Sequence, residues 1–115
     1  MEIGIDIEQN ERFKSPSEKF LKRVFTENEL AYAKKFEDSA PRLCAIWCVK
    51  EATVKAFSNA KLSYGDIEVC HDENGRPFVM LSPKIETELE KRNLSKIKIS
   101  MSHSKDYSTA ICILI

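Results

Sequence analysis

The chain has 115 residues and a formal net charge of zero, with 18 basic and 18 acidic side chains. This length predicts one domain, residues 1–115, large enough to fold around its own core without metal or disulfide bonds. The balanced charge argues against nucleic acid binding, and no apolar run is long enough to cross a membrane. The four cysteines form no CxxC pair and no signal peptide is recognised, which favours a reduced, cytoplasmic protein.

The first predicted element is a half-buried strand over residues 2–8, because isoleucines occupy every second position, namely Ile3, Ile5 and Ile7. Asp6 lies on the opposite face of this strand, beside Gly4. A glycine in a strand allows another backbone or a ligand to come close. Taken alone, however, Asp6 is more commonly explained as a solvent-facing carboxylate on an edge strand.

Three helices are predicted to follow this strand. Ser15 or Ser17 starts the first, and the segment Thr26–Glu29 forms a capping box for the second. The third runs from about Arg42 to Phe57, with apolar residues at helical spacing, namely Leu43, Ile46, Trp47, Val54 and Phe57.

Lys50 lies within the apolar stripe of the third helix, where a charge is unusual. Either its stem extends to water, or its amine meets a buried anion. Glu51 and Lys55 lie one turn apart on the flank of that stripe. They could form an ordinary surface ion pair, or, together with Lys50, supply a carboxylate for a metal and two cations for phosphate.

The second half of the chain predicts one more helix and four strands. In chain order these are strands Asp66–Cys70 and Phe78–Leu81, a helix from Ser82 to Arg92, and strands Lys96–Met101 and Tyr107–Ile115. An Asn74-Gly75 turn indicates that the first two strands form a hairpin. The expected fold class is α+β, a mostly antiparallel sheet packed with helices.

Three segments taken together resemble the motifs of the 4′-phosphopantetheinyl transferases. They are Gly4-Ile5-Asp6, Lys50-Glu51-Ala52 with Lys55, and Ser102–Tyr107. The chain length and the C-terminal place of the third motif are similar to the short holo-acyl-carrier-protein synthase class. Phe25–Leu30 and Asn74–Pro77 also resemble that class, so the likeness spans nearly the whole chain.

The resemblance implies transfer of 4′-phosphopantetheine from coenzyme A to a serine of an apo acyl carrier protein, releasing adenosine 3′,5′-bisphosphate. The implied catalytic residues are Asp6 and Glu51, which would hold Mg²⁺, and Lys55, which would stabilise charge on the leaving group. Either Glu51 or a metal-bound water would take the serine proton. The implied coenzyme A-binding residues are Lys50, Lys55, Gly75, Arg76, Pro77, His103 and Ser104. The chain departs from the family at Ile46, where an arginine is common; Arg42 is the nearest arginine upstream.

Basic residues are concentrated between positions 12 and 24, opposed only by Glu18. They are Arg12, Lys14, Lys19, Lys22 and Arg23. Such a cluster is commonly a solvated helix face, but it could also dock an acidic protein such as the acyl carrier protein. The resemblance further implies a homotrimer with active sites between subunits.

Two other functions remain open on the sequence. A metal-dependent phosphohydrolase would use the same Asp6 and Glu51, although such enzymes usually recruit further carboxylates or a second metal. A non-catalytic module that binds an acidic protein would leave Lys50 in its apolar stripe unexplained. Replacing Glu51 by glutamine separates these classes, because only a catalytic chain would lose an activity.

Overall fold

Five β-strands and four α-helices make up the chain, which a computed structural model describes over all 115 residues. The strands are β1 (Glu2–Gln9), β2 (Val69–His71), β3 (Pro77–Val79), β4 (Ile97–His103) and β5 (Tyr107–Leu114). The helices are α1 (Glu18–Val24), α2 (Glu27–Lys34), α3 (Ala40–Ala56) and α4 (Pro83–Glu90). Two 3₁₀ turns, Asn10–Phe13 and Tyr64–Asp66, follow β1 and α3. None of the helices has the length and apolarity needed to span a bilayer.

Local capping signals correctly predicted the starts of α1 and α2. The Ser17 hydroxyl accepts a hydrogen bond from the Phe20 N–H, which makes Ser17 the cap of α1. Both bonds of the Thr26–Glu29 capping box are present at α2. The predicted strand Asp66–Cys70 is wrong at its start, because a 3₁₀ turn uses residues 64–66 and β2 begins only at Val69.

The strands form two antiparallel sheets, which confirms the expected α+β class. The larger sheet has the order β1-β5-β4, and β2 and β3 form a separate hairpin. In the larger sheet Gly4 lies opposite Cys112, which lies opposite Ile99. The C-terminal strand therefore lies in the middle and joins the first strand to β4.

The core lies between this sheet and α3. The face of β1 that carries Gly4 and Asp6 packs toward α3, together with Ala110 and Cys112 of β5. Three of the four cysteines, Cys44, Cys48 and Cys112, are buried, and all four are free thiols. The half-buried strand predicted from the isoleucine pattern is thus found, but its polar face is the inner one.

On the outer side of the larger sheet, β1 and β5 together form an apolar surface. Ile3, Ile5 and Ile7 are 59%, 63% and 64% exposed. Ile111 and Ile113, their neighbours on β5, are half-buried and lie in register with Ile5 and Ile3. We call these five residues the isoleucine face. No element of the chain covers it, because α3 occupies the opposite side of the sheet.

Candidate active site

Gly4 is the point at which β1 comes closest to α3. A Cβ atom at Gly4 would overlap the carbonyl oxygen of Ala52 and lie 2.7 Å from the Ala56 nitrogen. The glycine therefore allows close approach of another backbone, as its place in the strand predicted. This contact holds Asp6, two residues further along β1, beside the turn of α3 that carries Lys55.

Asp6 and Lys55 form an ion pair between the strand and the helix. The Lys55 Nζ lies 3.0 Å from Asp6 Oδ1 and also donates to the Ile5 carbonyl at 2.9 Å. The Asp6 side chain is only 15% exposed, whereas the Lys55 side chain is 53% exposed. Asp6 is therefore not a solvent-facing carboxylate, and Lys55 pairs with it rather than with Glu51. A lysine in this position offers an exposed positive charge beside a carboxylate.

Glu51, one helical turn before Lys55, is held by a residue that the sequence analysis missed. The Tyr64 hydroxyl donates to Glu51 Oε1 at 2.7 Å. This hydrogen bond, together with burial, raises the pKa of Tyr64 to about 12. Tyr64 lies in the 3₁₀ turn after α3, and no local pattern links it to a residue 13 positions earlier.

Lys50 is fully buried and satisfied within the core. Its Nζ lies 2.8 Å from Glu29 Oε1 and donates to the carbonyls of Tyr64 and Ile67 at 2.8 and 2.6 Å. Burial lowers the pKa of Lys50, while the neighbouring Glu29 carboxylate opposes that shift. The amine therefore meets a buried anion, one of the two explanations considered for it. Because all three of its protons have acceptors inside the protein, this position does not support Lys50 as a coenzyme A-binding residue.

Three of the expected coenzyme A-binding residues, Gly75, Pro77 and His103, line one cavity of about 220 Å³. Arg42 and His71 also line it and were not among the predicted site residues. The His71 ring stacks on Tyr32 at 3.7 Å between centroids, and Arg42 lies 4.0 Å from the centroid of Phe36. The cavity therefore combines aromatic rings with basic side chains.

The other expected binding residues lie at the edge of this cavity or outside it. Arg76 lines a neighbouring groove together with Pro77. Ser104 lies in the loop between β4 and β5, where its hydroxyl accepts a hydrogen bond from the Tyr107 N–H at 3.2 Å. The structure thus places Ser104 next to His103 but does not bring its side chain into the cavity lining.

The loop that follows His103 is anchored by Asn10, which is buried. The Asn10 side-chain amide donates to the carbonyls of Ser104 and Lys105 at 3.0 and 3.1 Å, and its oxygen accepts from the Ser108 hydroxyl at 2.6 Å. The Asn10 N–H also bonds the Asp106 carbonyl at 2.8 Å. Asn10, the first residue after β1, therefore determines the path of the β4–β5 loop.

The five basic residues near the N-terminus, Arg12, Lys14, Lys19, Lys22 and Arg23, are all exposed. Arg12 pairs with Glu8 at 2.7 Å, and its guanidinium lies 4.7 Å from the centroid of the Trp47 ring. Trp47 is one turn before Glu51 on α3. The basic cluster therefore begins at a residue that contacts Trp47, one helical turn from Glu51.

A model of the 4′-phosphopantetheinyl transferase superfamily matches residues 2–112 of the sequence. The matched region contains the strand of Asp6, the helix of Glu51 and Lys55, and the end of β4 with His103. This chain belongs to the 4′-phosphopantetheinyl transferase superfamily.

Individual members of the superfamily match over nearly the whole chain. A holo-[acyl-carrier-protein] synthase of Thermoanaerobacter sp. (strain X514) is 35% identical over 118 aligned residues, which cover 98% of this chain and 86% of the relative. The crystal structure of such a synthase from Neisseria meningitidis is 26% identical, with a TM-score of 0.86 and coverage of 99% and 97% of the two chains. One from Bacillus anthracis, in complex with CoA (3′,5′-ADP), is 30% identical, with a TM-score of 0.81 and coverage of 98% and 94%.

The metal that the family resemblance implies is Mg²⁺, and its candidate ligands are Asp6 and Glu51. These two carboxylates would supply hard oxygen ligands from β1 and α3, whose backbones touch at Gly4. No group of three or more histidine, cysteine or acidic side chains is close enough to enclose a metal. Mg²⁺ commonly takes one or two protein carboxylates and fills its other positions with water and phosphate oxygens. The donor set therefore fits Mg²⁺ better than a zinc site, which would require four protein ligands when structural.

Proposed function

We propose that this chain catalyses its reaction with Mg²⁺ bound by Asp6 and Glu51. The reaction is the transfer of 4′-phosphopantetheine from coenzyme A to a serine of an apo acyl carrier protein. The single observation that supports the proposed site is the close contact at Gly4, which sets Asp6 and its partner Lys55 beside the helix turn of Glu51.

The transfer forms one P–O bond and breaks another. The serine oxygen of the carrier attacks the phosphorus that bears the pantetheine arm, and adenosine 3′,5′-bisphosphate leaves with the oxygen of the broken bond. The serine proton passes to the Glu51 carboxylate or to a water molecule. Because phosphoryl transfer of this kind needs little covalent help, the protein acts mainly by alignment and by neutralising charge.

The residues of the site divide these tasks. Asp6 and Glu51 would hold the metal, which when bound supplies Lewis-acid polarisation of a phosphate oxygen. Lys55 is exposed enough to reach substrate and carries the charge that would stabilise the departing bisphosphate. Its hydrogen bond to the Ile5 carbonyl holds the amine beside Asp6.

The nucleotide end of coenzyme A is assigned to the cavity of Gly75, Pro77 and His103, with Arg76 and Ser104 at its border. Aromatic and basic side chains in one recess suit an adenine ring and its phosphates. Relatives support this partner, since the B. anthracis protein was solved with CoA (3′,5′-ADP) and the Helicobacter pylori synthase with coenzyme A.

The carrier protein is assigned to the basic cluster of Arg12, Lys14, Lys19, Lys22 and Arg23. An acidic carrier would be attracted to this surface, and the contact of Arg12 with Trp47 places the cluster next to α3. A carrier docked there would have its serine near Glu51.

The assembly is assigned as a homotrimer, in the cytoplasm. A contiguous exposed apolar patch such as the isoleucine face is typical of an interface between subunits. The number of three subunits is what the family resemblance implies. Free cysteines are typical of proteins in a reducing compartment.

Mass spectrometry of an apo acyl carrier protein, incubated with this chain, coenzyme A and magnesium, tests the reaction directly. We expect a gain of one phosphopantetheine arm, which EDTA abolishes and excess Mg²⁺ restores. Glu51→Gln should abolish the gain while leaving carrier binding intact. An unchanged yield in EDTA would contradict the magnesium site, and no gain with any carrier would contradict the assigned reaction.

A further inference from the structure

Tyr64 is bound at both ends by consecutive residues of α3. Its backbone carbonyl accepts a hydrogen bond from Lys50 Nζ at 2.8 Å, and its hydroxyl donates to Glu51 Oε1 at 2.7 Å. Between these two points the Tyr64 ring packs on Trp47, with 5.2 Å between centroids. The ring therefore has a defined position over the helix turn that carries Glu51.

The turn that carries Tyr64 is itself braced. The Asp66 carboxylate accepts hydrogen bonds from the Ser63 N–H and hydroxyl at 2.8 and 3.0 Å, and Lys84 of α4 pairs with it at 2.8 Å. These bonds, together with the buried Lys50 amine, hold the turn from several sides. The Tyr64 hydroxyl is consequently a preorganised donor rather than a flexible loop group.

The hydrogen bond from Tyr64 restricts the rotation of the Glu51 side chain and distinguishes its two carboxylate oxygens. A glutamate side chain has three rotatable bonds, and ordering it at a metal costs conformational entropy. The Tyr64 hydroxyl engages Oε1, whereas Oε2 makes no hydrogen bond within the chain. One oxygen is thereby held and the other is left for an incoming ligand.

We propose that Tyr64 is a positioning residue for Glu51, whose carboxylate it orders so that Oε2 is free to bind the metal. This inference rests on the proposed magnesium site. Hydrogen-bond partners of metal-ligating carboxylates orient those ligands, and their removal typically weakens metal binding about 10-fold or more. The hydroxyl acts through Glu51 and needs no contact with substrate.

Tyr64→Phe is the appropriate variant because it removes the hydroxyl and keeps the ring on Trp47. Binding of Mn²⁺ as a probe ion is measured by electron paramagnetic resonance, with coenzyme A present and no carrier, so that no turnover occurs. We expect about 10-fold weaker Mn²⁺ binding. In turnover assays the Mg²⁺ concentration for half-maximal rate should rise by a similar factor, with the KM for carrier unchanged.

Two further variants of this chain serve as controls for Tyr64→Phe. Tyr107→Phe removes the same atom from an exposed tyrosine whose hydroxyl meets only Gln9, and it should bind Mn²⁺ like the wild type. Glu51→Gln reports on the metal site itself. If Glu51→Gln loses Mn²⁺ binding but Tyr64→Phe matches the wild type, Tyr64 is not a positioning residue. If Glu51→Gln also binds normally, the magnesium site is wrong and the inference falls with it.

Discussion

At Gly4 the absence of a side chain allows β1 to lie directly against α3. The atoms that a Cβ would meet are backbone atoms of Ala52 and Ala56, which cannot rotate away as a side chain could. The same contact determines how close Asp6 lies to the helix turn of Lys55. Stability and the proposed metal site therefore depend on one residue.

Gly4→Ala should destabilise the protein by about 3 kcal/mol or more, because the added methyl group forces two backbones apart. Urea unfolding measures this change, and a transfer assay should show a parallel loss of activity. Gly65→Ala is the matched control, since its Cβ would meet nothing closer than the Ser63 hydroxyl at 4.0 Å. Equal unfolding midpoints for the two variants would contradict the close-contact explanation.

The buried pair of Lys50 and Glu29 joins α3 to α2 and to β2. Glu29 accepts hydrogen bonds from Thr26 N–H and Val69 N–H, both at 2.8 Å, besides its ion pair with Lys50. Every buried polar side-chain atom in this network has a hydrogen-bond partner. A buried pair of this kind adds little net stability, but removing one partner is costly because the other charge remains unpaired.

Lys50→Met should destabilise the protein by about 3–5 kcal/mol, because the Glu29 charge is left buried without a partner. Adding Glu29→Gln to the same chain should recover part of that loss, since it removes the charge and keeps an acceptor oxygen. Chemical denaturation of the two single variants and the double variant measures the coupling. Additive effects in the double variant would show that the two side chains do not act as a pair.

The β4–β5 loop illustrates how one element positions another. The residues after His103 form no regular structure, yet Asn10 binds three consecutive carbonyls of this loop, those of Ser104, Lys105 and Asp106. The 3₁₀ turn after β1 thus supports the loop that follows His103 at the proposed nucleotide cavity. Arg12, the first residue of the basic cluster, lies in the same turn.

Asn10→Leu should loosen this loop, because a leucine cannot donate to the carbonyls of Ser104 and Lys105. We expect a loss of about 1–3 kcal/mol in stability and a higher KM for coenzyme A, with the KM for carrier little changed. Steady-state kinetics with each substrate varied in turn measures the difference. Asn28→Ala, which removes an exposed amide bonded to Glu68 at 3.4 Å, is the control. Equal rises in both KM values would indicate general damage rather than a loosened loop.

On the scale of the whole molecule, two surfaces remain without partners in a single chain. The isoleucine face covers the outer side of β1 and β5, and the basic cluster begins shortly after the C-terminal end of β1. The first is apolar and suits a second copy of the chain. The second is charged and suits a different, acidic protein.

Ile5→Lys should convert the proposed trimer to a monomer that remains folded, because Ile5 is 63% exposed in the isolated chain. A charge at the centre of an apolar interface is left desolvated and unpaired, which disfavours association. Light scattering after size exclusion measures the mass, and circular dichroism checks the fold. Met80→Lys, a change at another exposed apolar residue, should keep the trimer. A wild-type chain of monomeric mass would contradict the assembly.

Arg12→Glu should slow carrier association roughly 10-fold at low salt, because it reverses a charge in the basic cluster. The difference from the wild type should shrink as salt is added, since ions screen surface charges over about 10 Å at 0.1 M. Stopped-flow binding at several salt concentrations measures both effects. Lys91→Glu reverses an exposed charge immediately after α4 and should leave association unchanged. Equal rates for the wild type and Arg12→Glu would contradict docking at this surface.

Much of the fold could be predicted from the sequence alone, because capping and turn signals act over three or four residues. The capping box of Thr26, the Ser17 cap and the Asn-Gly hairpin each close within one turn, so their geometry needs no distant partner. The helical spacing of apolar residues also predicted α3, although residues 43–50 are buried on every side and not along one stripe. The motifs around Asp6, Glu51 and His103 identified the superfamily in the same way, since each is a short run of residues.

Only the tertiary structure decided which face of β1 is buried, what Lys50 binds, and how Glu51 is held. Alternation shows that a strand has two faces, but the packing of α3 determines which of them is inside. The Glu29–Lys50 pair, the Tyr64–Glu51 bond and the anchoring of the β4–β5 loop by Asn10 each join segments far apart in the chain. No local pattern encodes such contacts, because their geometry exists only after the helices and the sheet have packed together.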